Sequence, residues 1–225
     1  MFNKKLPLDE ARALMVKKQL AARSITDQRI LRVMGEIPRH RFVVEALWDA
    51  AYRDSPLSIG YGQTISQPYI VAYMTQALRL PEDGRATVLE IGTGSGYQAA
   101  ILSRLVDKVY SVERIAPLAQ RAQQILHELD IDNVEINVTD GGYGWSKHSP
   151  YDAIIATAAA PEIPAPLIDQ LKDGGRLVAP VGPRWQQELR RLHWQGGELI
   201  SERLVPVAFV PLVGEHGWEE EDFYE

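Results

Sequence analysis

Residues Val88 to Ala100 read Val-Leu-Glu-Ile-Gly-Thr-Gly-Ser-Gly-Tyr-Gln-Ala-Ala, and this stretch narrows the possible folds most. A short apolar run, Thr87 to Ile91, breaks at Gly92-Thr93-Gly94-Ser95-Gly96, after which Ala99, Leu102, Leu105 and Val106 carry a helical spacing. That predicts a strand, a tight turn and a helix. Glycine permits the sharp bend and lets a ligand touch bare backbone, while the helix start turns unpaired N–H groups toward it. A dinucleotide fingerprint needs glycines at the first, third and sixth positions. Here Gly96 comes one place early and Tyr97 fills the sixth, which weakens a nicotinamide reading. Glu90, two residues before Gly92, suits a cationic nucleoside better than a pyrophosphate. An unliganded strand-to-helix turn is the plain alternative.

Composition sets the scale. A chain of 225 residues with 45% hydrophobic content can bury one sizeable α/β core with a modest extra element. The net charge of −6 offers no general basic surface for nucleic acid. With no cysteine there is no disulfide framework, thiolate nucleophile or thiolate metal site. Met1 to Pro7 lacks a signal-peptide core, and no apolar run approaches membrane-spanning length, so the expectation is a cytoplasmic protein without a membrane partner.

Ahead of the glycine turn the chain is helical in pattern. Asp9 can cap a helix with Ala13, Val16 and Leu20 on its apolar face, and Thr26 or Asp27 can start a second that Pro38 stops. Val44, Leu47, Trp48 and Ala51 repeat the spacing, giving a helical cap over the sheet domain. Ser55 to Pro68 has neither helix nor strand periodicity and reads as a functional loop. Ser66, just before a proline-started helix, is by spacing alone more readily an N-cap than a catalytic group.

Beyond the turn, Lys108 to Glu113 reads as a second strand whose terminal Glu113 can accept from both ribose hydroxyls, or can serve as a helix-start charge before Pro117. Val134 to Val138 alternates and ends at Asp140-Gly141-Gly142, where an adenine contact and a plain turn weigh about equally. Tyr151 to Thr157 is a buried fourth strand leading to Ala158 and Ala159. A short helix over Leu167–Leu171, a Gly174-Gly175 turn and a strand over Arg176–Val181 follow. Glu188–Trp194 and Glu198–Leu204 flank the hairpin signal Gln195-Gly196-Gly197, and Val207–Val213, interrupted by Pro211, reads as an edge strand. The acidic tail, 215–225, is expected to be mobile beyond Trp218. The five histidines show no metal-binding spacing. The domain expectation is a cap with active-site loop over 1–80 and a catalytic core over 81–214, forming one compact unit.

Acid-x-Gly-x-Gly-x-Gly at Glu90 to Gly96 resembles motif I of S-adenosylmethionine-dependent methyltransferases. Five pieces in order narrow this further: Tyr61-Gly-Gln-Thr-Ile-Ser-Gln-Pro68, Val88 to Tyr97, Val109-Tyr-Ser-Val-Glu-Arg114, Tyr151 to Ala159, and Phe209-Val-Pro-Leu212. Together they resemble the protein-L-isoaspartate O-methyltransferases. The resemblance implies a Rossmann-like methyltransferase fold of class α/β, with a mostly parallel central sheet, a C-terminal antiparallel hairpin and an N-terminal helical cap. It also implies methyl transfer from S-adenosyl-L-methionine to the free α-carboxylate of L-isoaspartyl residues in aged proteins and peptides, with S-adenosyl-L-homocysteine as by-product and no metal. By the same resemblance Ser66 is the active-site serine, reversing the cap preference. Ile65, Glu90, Gly92, Gly94 and Gly96 lie around the cofactor's methionine end, Glu113 at the ribose, Asp140 and Gly141 at adenine, and Thr157, Ala158 and Ala159 with Ser66 at the substrate backbone. Thr139 stands where the family has a glycine. A monomer is expected. A small-molecule methyltransferase, a nicotinamide oxidoreductase and a silent isoaspartyl binder are the competing readings.

Overall fold

The structure, a computed structural model, describes residues 6–219 and residue 221. The N-terminal segment winds as α1 (Leu8–Met15), a π-helical turn over Val16–Leu20 and a 3-10 turn over Ala21–Arg23, ending at Ser24 in the left-handed region. Asp9 does not cap it: Pro7 occupies the cap position, and Asp9, one residue into the helix, accepts from Arg12 at 2.7 Å. Asp27 does cap α2 (Gln28–Glu36), accepting the Arg29 amide at 2.9 Å, and Pro38 follows the helix end. The third helical pattern becomes two 3-10 turns, Arg39–Phe42 and Glu45–Ala50. Its bonds run from Leu47 to Val44 and from Ala51 to Trp48, three residues apart, so the 44/47/48/51 spacing never forms one α-helical stripe and Val44 stays half exposed.

The expected loop at 55–68 contains a small hairpin, β1 (Leu57–Gly60) and β2 (Gln63–Ile65), paired only with itself. Its two central residues, Tyr61 and Gly62, take φ of 54° and 70°, the positive values that tight hairpin turns require. A tyrosine at such a position does not announce a turn in sequence. The helix α3 (Pro68–Ala77) follows, then β3 (Thr87–Ile91), α4 (Tyr97–Ser103), β4 (Lys108–Glu113), α5 (Ala116–Glu128), β5 (Val134–Val138), β6 (Tyr151–Ala156) and α6 (Ala165–Asp169). Helix α4 is shorter than its apolar spacing implied, because Leu105 and Val106 lie past its end but remain buried.

Three long strands close the sheet: β7 (Leu171–Val181), β8 (Gln187–Gln195) and β9 (Glu198–Val207). The strand β7 runs through Gly174 and Gly175 instead of starting after them, with a break in register against β6 that absorbs the left-handed Gly174. The stretch 208–213 is not a strand; beyond β9 only single bridges form, Ala159 with Pro211 and Val213 with Trp218. Pro211 has no N–H to continue a ladder. The tail's start folds back, with Trp218 N–H donating to the Leu212 carbonyl at 2.7 Å, whereas residues 220 and 222–225 of the expected mobile tail lie outside the described residues.

The seven strands order as β5-β4-β3-β6-β7-β8-β9, parallel from β5 to β7 and antiparallel across β8 and β9. Chain order reverses between β3 and β6, the place where an open α/β sheet leaves a crevice beyond its strand ends. Along β3, Val88 packs with the cap and α4 on one face, while Leu89 and Ile91 pack on the other. One apolar cluster runs from Met15, Leu20 and Met34 through Phe42 into Val88, Ile101 and Val109, joining cap to sheet. Inside it Arg39 is wholly buried, its Nε donating to the Ala51 carbonyl at 2.8 Å and its guanidinium 5.0 Å from the Tyr97 ring centre; desolvation lowers its pKa to about 10. Among the described residues no helix is long and apolar enough to cross a membrane.

Phe42 meets the Tyr97 ring edge-on at 5.3 Å across the cap–sheet boundary. Phe42→Ala is expected to lower unfolding stability by about 3–5 kcal/mol in urea denaturation, with a single transition. A separate early transition for the N-terminal helices would show that the boundary does not couple them.

Candidate active site

The glycine turn sits where β3 ends between its two parallel neighbours. Gly92 N–H donates to the Val112 carbonyl at 2.8 Å, and Thr157 N–H donates to the Ile91 carbonyl at 2.8 Å, so β4 and β6 clamp the turn from both sides. Gly92 has φ of 92°, and a Cβ there would lie 2.6 Å from Thr157 Oγ1, so no larger residue fits. Thr157 Oγ1 in turn donates to the Gly92 carbonyl at 2.6 Å.

Glu113 ends β4 and is almost completely buried at the cleft wall. Its Oε2 accepts the Gly94 amide at 2.8 Å and its Oε1 the Ile115 amide at 2.9 Å. Two backbone bonds fix the carboxylate, and each oxygen keeps capacity for one more donor. It therefore holds the start of α5 while lining the cleft.

Glu90 lies behind the glycine turn and is not part of the cleft lining. It is fully buried on the α4 face of β3, opposite its cross-strand partner Ser111, whose hydroxyl donates to Glu90 Oε2 at 2.5 Å and lies 2.6 Å from Thr93 Oγ1. Oε1 has no partner among the described residues. Desolvation, reinforced by the Glu113 charge and opposed by the Ser111 bond, raises its pKa to about 8. The Thr93–Ser111–Glu90 chain was not anticipated from sequence, though the small polar residues in two adjacent apolar strand ends were its signal.

One cleft runs along these groups, walled by Ile65 and Ser66 on one side, by Gly92 to Ser95 and Glu113 on another, and by Gly141 and Leu212 beyond. A second cavity of about 450 Å³ lies between Pro56, Gln67, Ile70 and the segment Pro206–Val210. Four residues line both: Thr64, Ser66, Thr157 and Val210. Ser66 thus stands where the two spaces meet.

The remaining expected residues fall into two groups. Ile65, Gly94, Gly141, Thr157 and Ala158 line the first cleft with Ser66 and Glu113. Gly96 instead turns its α-carbon toward α5, where a Cβ would lie 3.1 Å from that of Ala122, and holds the two helices close. Ala159 is buried, its amide and carbonyl paired with Val210 and Leu212 at 2.8 and 2.7 Å. Asp140 accepts the Gly142 amide at 2.8 Å and the Glu215 amide at 3.1 Å, so its carboxylate is steered by its own turn and by the chain end.

The β1–β2 hairpin covers the glycine turn. Ile59 Cδ1 packs toward Gly94, and Arg121 of α5 donates to the Ile59 carbonyl at 2.9 Å. Neither contact is visible in the sequence, since Arg121 reads as an exposed helix charge. Among the described residues no group of three or more His, Asp or Glu side chains is placed to hold a metal ion.

Glu90 generates a pH prediction. Because its folded pKa is raised, the proton favours the folded state, and that contribution is present below the ordinary carboxyl range and fades as pH rises toward about 8. Glu90→Gln, which stays neutral, is expected to flatten the fall in urea stability between about pH 5 and 8. An unchanged slope would mean that Glu90 is ionised in the folded protein.

The family model described as protein-L-isoaspartate(D-aspartate) O-methyltransferase matches residues 10–217. A protein-L-isoaspartate O-methyltransferase of Syntrophus aciditrophicus (strain SB) is 57% identical over 210 residues, covering 92% of this chain and 95% of that protein. One from Desulfotalea psychrophila is 54% identical over 209 residues, covering 93% and 97%. A solved protein-L-isoaspartate O-methyltransferase superposes with a TM-score of 0.82 at 30% identity, covering 93% of this chain and 67% of its own. A solved Plasmodium falciparum protein, described as a putative member and in complex with S-adenosyl-L-homocysteine, gives 0.77 at 25% identity, covering 88% and 96%. On the family model over residues 10–217 and these relatives, the chain belongs to the protein-L-isoaspartate O-methyltransferase family.

Proposed function

We propose that this chain repairs aged proteins by moving a methyl group from S-adenosyl-L-methionine to the α-carboxylate of L-isoaspartyl residues, with Ser66 orienting that carboxylate. The observation that carries the assignment of roles is the junction at Ser66, which lines both the cleft along the glycine turn and the cavity beside Pro206 to Val210.

The first cleft fits the cofactor by its donor set. Glu113 offers a fixed carboxylate to ribose hydroxyls, Ile115 and Leu212 offer apolar walls, and Glu90 supplies a buried carboxyl behind the glycine turn for a cationic methionine end. Gly92 and Gly94 allow close approach, Ile65 lines the same cleft, and Gly141 lines the adenine end, with Asp140 just outside that lining. When bound, the cofactor supplies a methyl group on a positively charged sulfur.

The second cleft fits a polypeptide. Its wall, Pro206 to Val210, runs off the end of β9, and among the described residues the Ala208 backbone and the Val210 amide carry no hydrogen bond. A bound chain can pair with these groups as an added strand does. Thr157 and Ala158 bound the junction; Ala159, whose backbone is already paired, acts by holding Val210 in place. An open groove with free backbone groups favours a peptide over a small-molecule acceptor. We extend the proposal to a monomer acting in the cytoplasm, a compartment that a chain without cysteine suits.

No general base is needed, because an α-carboxyl group has a reference pKa of about 3.3–3.7 and is already ionised at neutral pH. The Ser66 hydroxyl donates to one carboxylate oxygen and leaves the other to attack the methyl carbon. Alignment of this kind is worth up to roughly 7–11 kcal/mol of barrier. The oxygen–methyl bond forms as the sulfur–methyl bond breaks, giving a methyl ester and S-adenosyl-L-homocysteine. The next backbone nitrogen then attacks the ester carbonyl, expels methanol and closes a succinimide, whose hydrolysis returns some normal aspartate.

Ser66→Ala is expected to leave cofactor affinity within about twofold while lowering kcat for an isoaspartyl peptide by about tenfold or more, as loss of one aligned hydrogen bond does. A matching loss of cofactor binding by calorimetry would remove the positioning role. Glu113→Ala is expected to weaken cofactor affinity by about tenfold or more. Unchanged affinity would take Glu113 off the ribose.

A further inference from the structure

The wall of the second cavity continues past the end of β9, and one buried side chain holds it there. Gln187 opens β8 opposite Val207, the last residue of β9. Two residues further, the same antiparallel register would set Trp185 against Phe209. The chain instead leaves the sheet in a turn closed by the Gln186 amide on the Pro183 carbonyl at 2.9 Å, and Trp185 stands 86% exposed. The backbone of Phe209 thus lacks the strand partner its neighbour Val207 has. The Gln187 side chain takes that place. Its Oε1 accepts the Phe209 amide at 2.6 Å and its Nε2 donates to the Phe209 carbonyl at 3.2 Å, the reciprocal pair that a strand residue would supply. Further along, the wall is tied to Ala159, which donates to the Val210 carbonyl at 2.8 Å and accepts the Leu212 amide at 2.7 Å. Beside these ties, the Ala208 backbone and the Val210 amide carry no hydrogen bond among the described residues, and both residues line the cavity.

We propose that Gln187 is a positioning residue for the polypeptide substrate: standing in for a missing strand residue at Phe209, it fixes the wall so that Ala208 and Val210 offer their backbone groups to a bound chain in one arrangement. The role rests on the reading of the second cavity as a polypeptide site. A wall left to shift would still border the cavity, but its groups would have to be ordered at each binding event, at a cost in substrate affinity. Gln187 lines neither cleft, so it acts through Phe209 and not by touching a ligand.

The test crosses Gln187→Leu, which keeps the side chain's bulk and removes both bonds, with a change in the substrate. Methyl transfer is measured for an isoaspartyl peptide and for a set of versions each N-methylated at one backbone amide. N-methylation removes the donor that the Ala208 carbonyl would accept, so in wild type one such version is expected to show KM raised about fivefold. Q187L is expected to raise KM for the unmodified peptide about tenfold, with KM for S-adenosylmethionine and kcat at saturating peptide within about twofold of wild type. In that background the same N-methylation should cost less than about twofold, because the two changes act on one contact. If Q187L does not fold, Gln187→Glu carries the test: it keeps an acceptor for the Phe209 amide, loses the donor to its carbonyl, and should give the same pattern.

An unchanged peptide KM in Q187L would overturn the proposal, as would an N-methylation penalty of equal size in Q187L and wild type. Equal rises in KM for peptide and for S-adenosylmethionine would overturn it too, since they would mark general loosening of the fold. If no N-methylated peptide binds wild type more weakly, backbone pairing in the second cavity fails first, and the role of Gln187 falls with it.

Discussion

The carboxyl ends of three parallel strands, β4, β3 and β6, are tied to one another by backbone hydrogen bonds, and the rest of the site depends on that tie. Gly92 reaches the Val112 carbonyl, Gly94 reaches Glu113 and Thr157 reaches the Ile91 carbonyl. A turn that floated free would present its amides in many directions. Clamped on both sides, it holds a fixed floor against which the hairpin, the acids and the serine are arranged. The clamp also explains why the acids share one place: the β3–β4 register sets Glu90 beside Ser111 and carries Glu113 past the end of β3.

Burial then gives two similar side chains different work. Glu113 receives two amides and stays at the cleft wall, whereas Glu90 receives one hydroxyl and sits in a dry layer that raises its pKa to about 8. Position relative to the strand end decides which acid lines the cleft and which lies behind the turn. The cap follows similar logic. Arg39, buried with the Ala51 carbonyl as acceptor of its Nε, lies near the Tyr97 ring, so the helices before the site and the helix after the glycine turn are packed through one aromatic pair and one cation.

Local sequence carried the core of the fold well. Thr87–Ile91, Lys108–Glu113 and Val134–Val138 are strands with the bounds their patterns set, the first two because buried parallel strands run mostly apolar and the third, at the sheet edge, because it alternates. It failed where a contact distant in the chain decides. The hairpin in 57–65 turns on a left-handed tyrosine and on Arg121. Val207–Val213 loses its strand character to Pro211 and to pairing with Ala159. For Ser66 the local rule favoured a cap, and it fails because Gln67, kept extended by the proline that follows it, takes the cap position, while Asp54 from outside holds the Tyr69 amide. The resemblance located Ser66, Glu113 and Gly141 in one cleft, but the turn of Gly96 toward Ala122 follows only from the packing of α4 on α5.

Two spaces meeting at one serine make sense for an enzyme that must bring a polypeptide carboxylate to a methyl donor while keeping the two ligands otherwise apart. The direct measurement uses methyl-labelled S-adenosylmethionine and two peptides of identical sequence, one bearing L-isoaspartate and one L-aspartate, with base-labile methyl ester scored. Transfer confined to the isoaspartyl peptide is the result this account predicts. Equal transfer to both peptides, or none to either with the cofactor demonstrably bound, would contradict it.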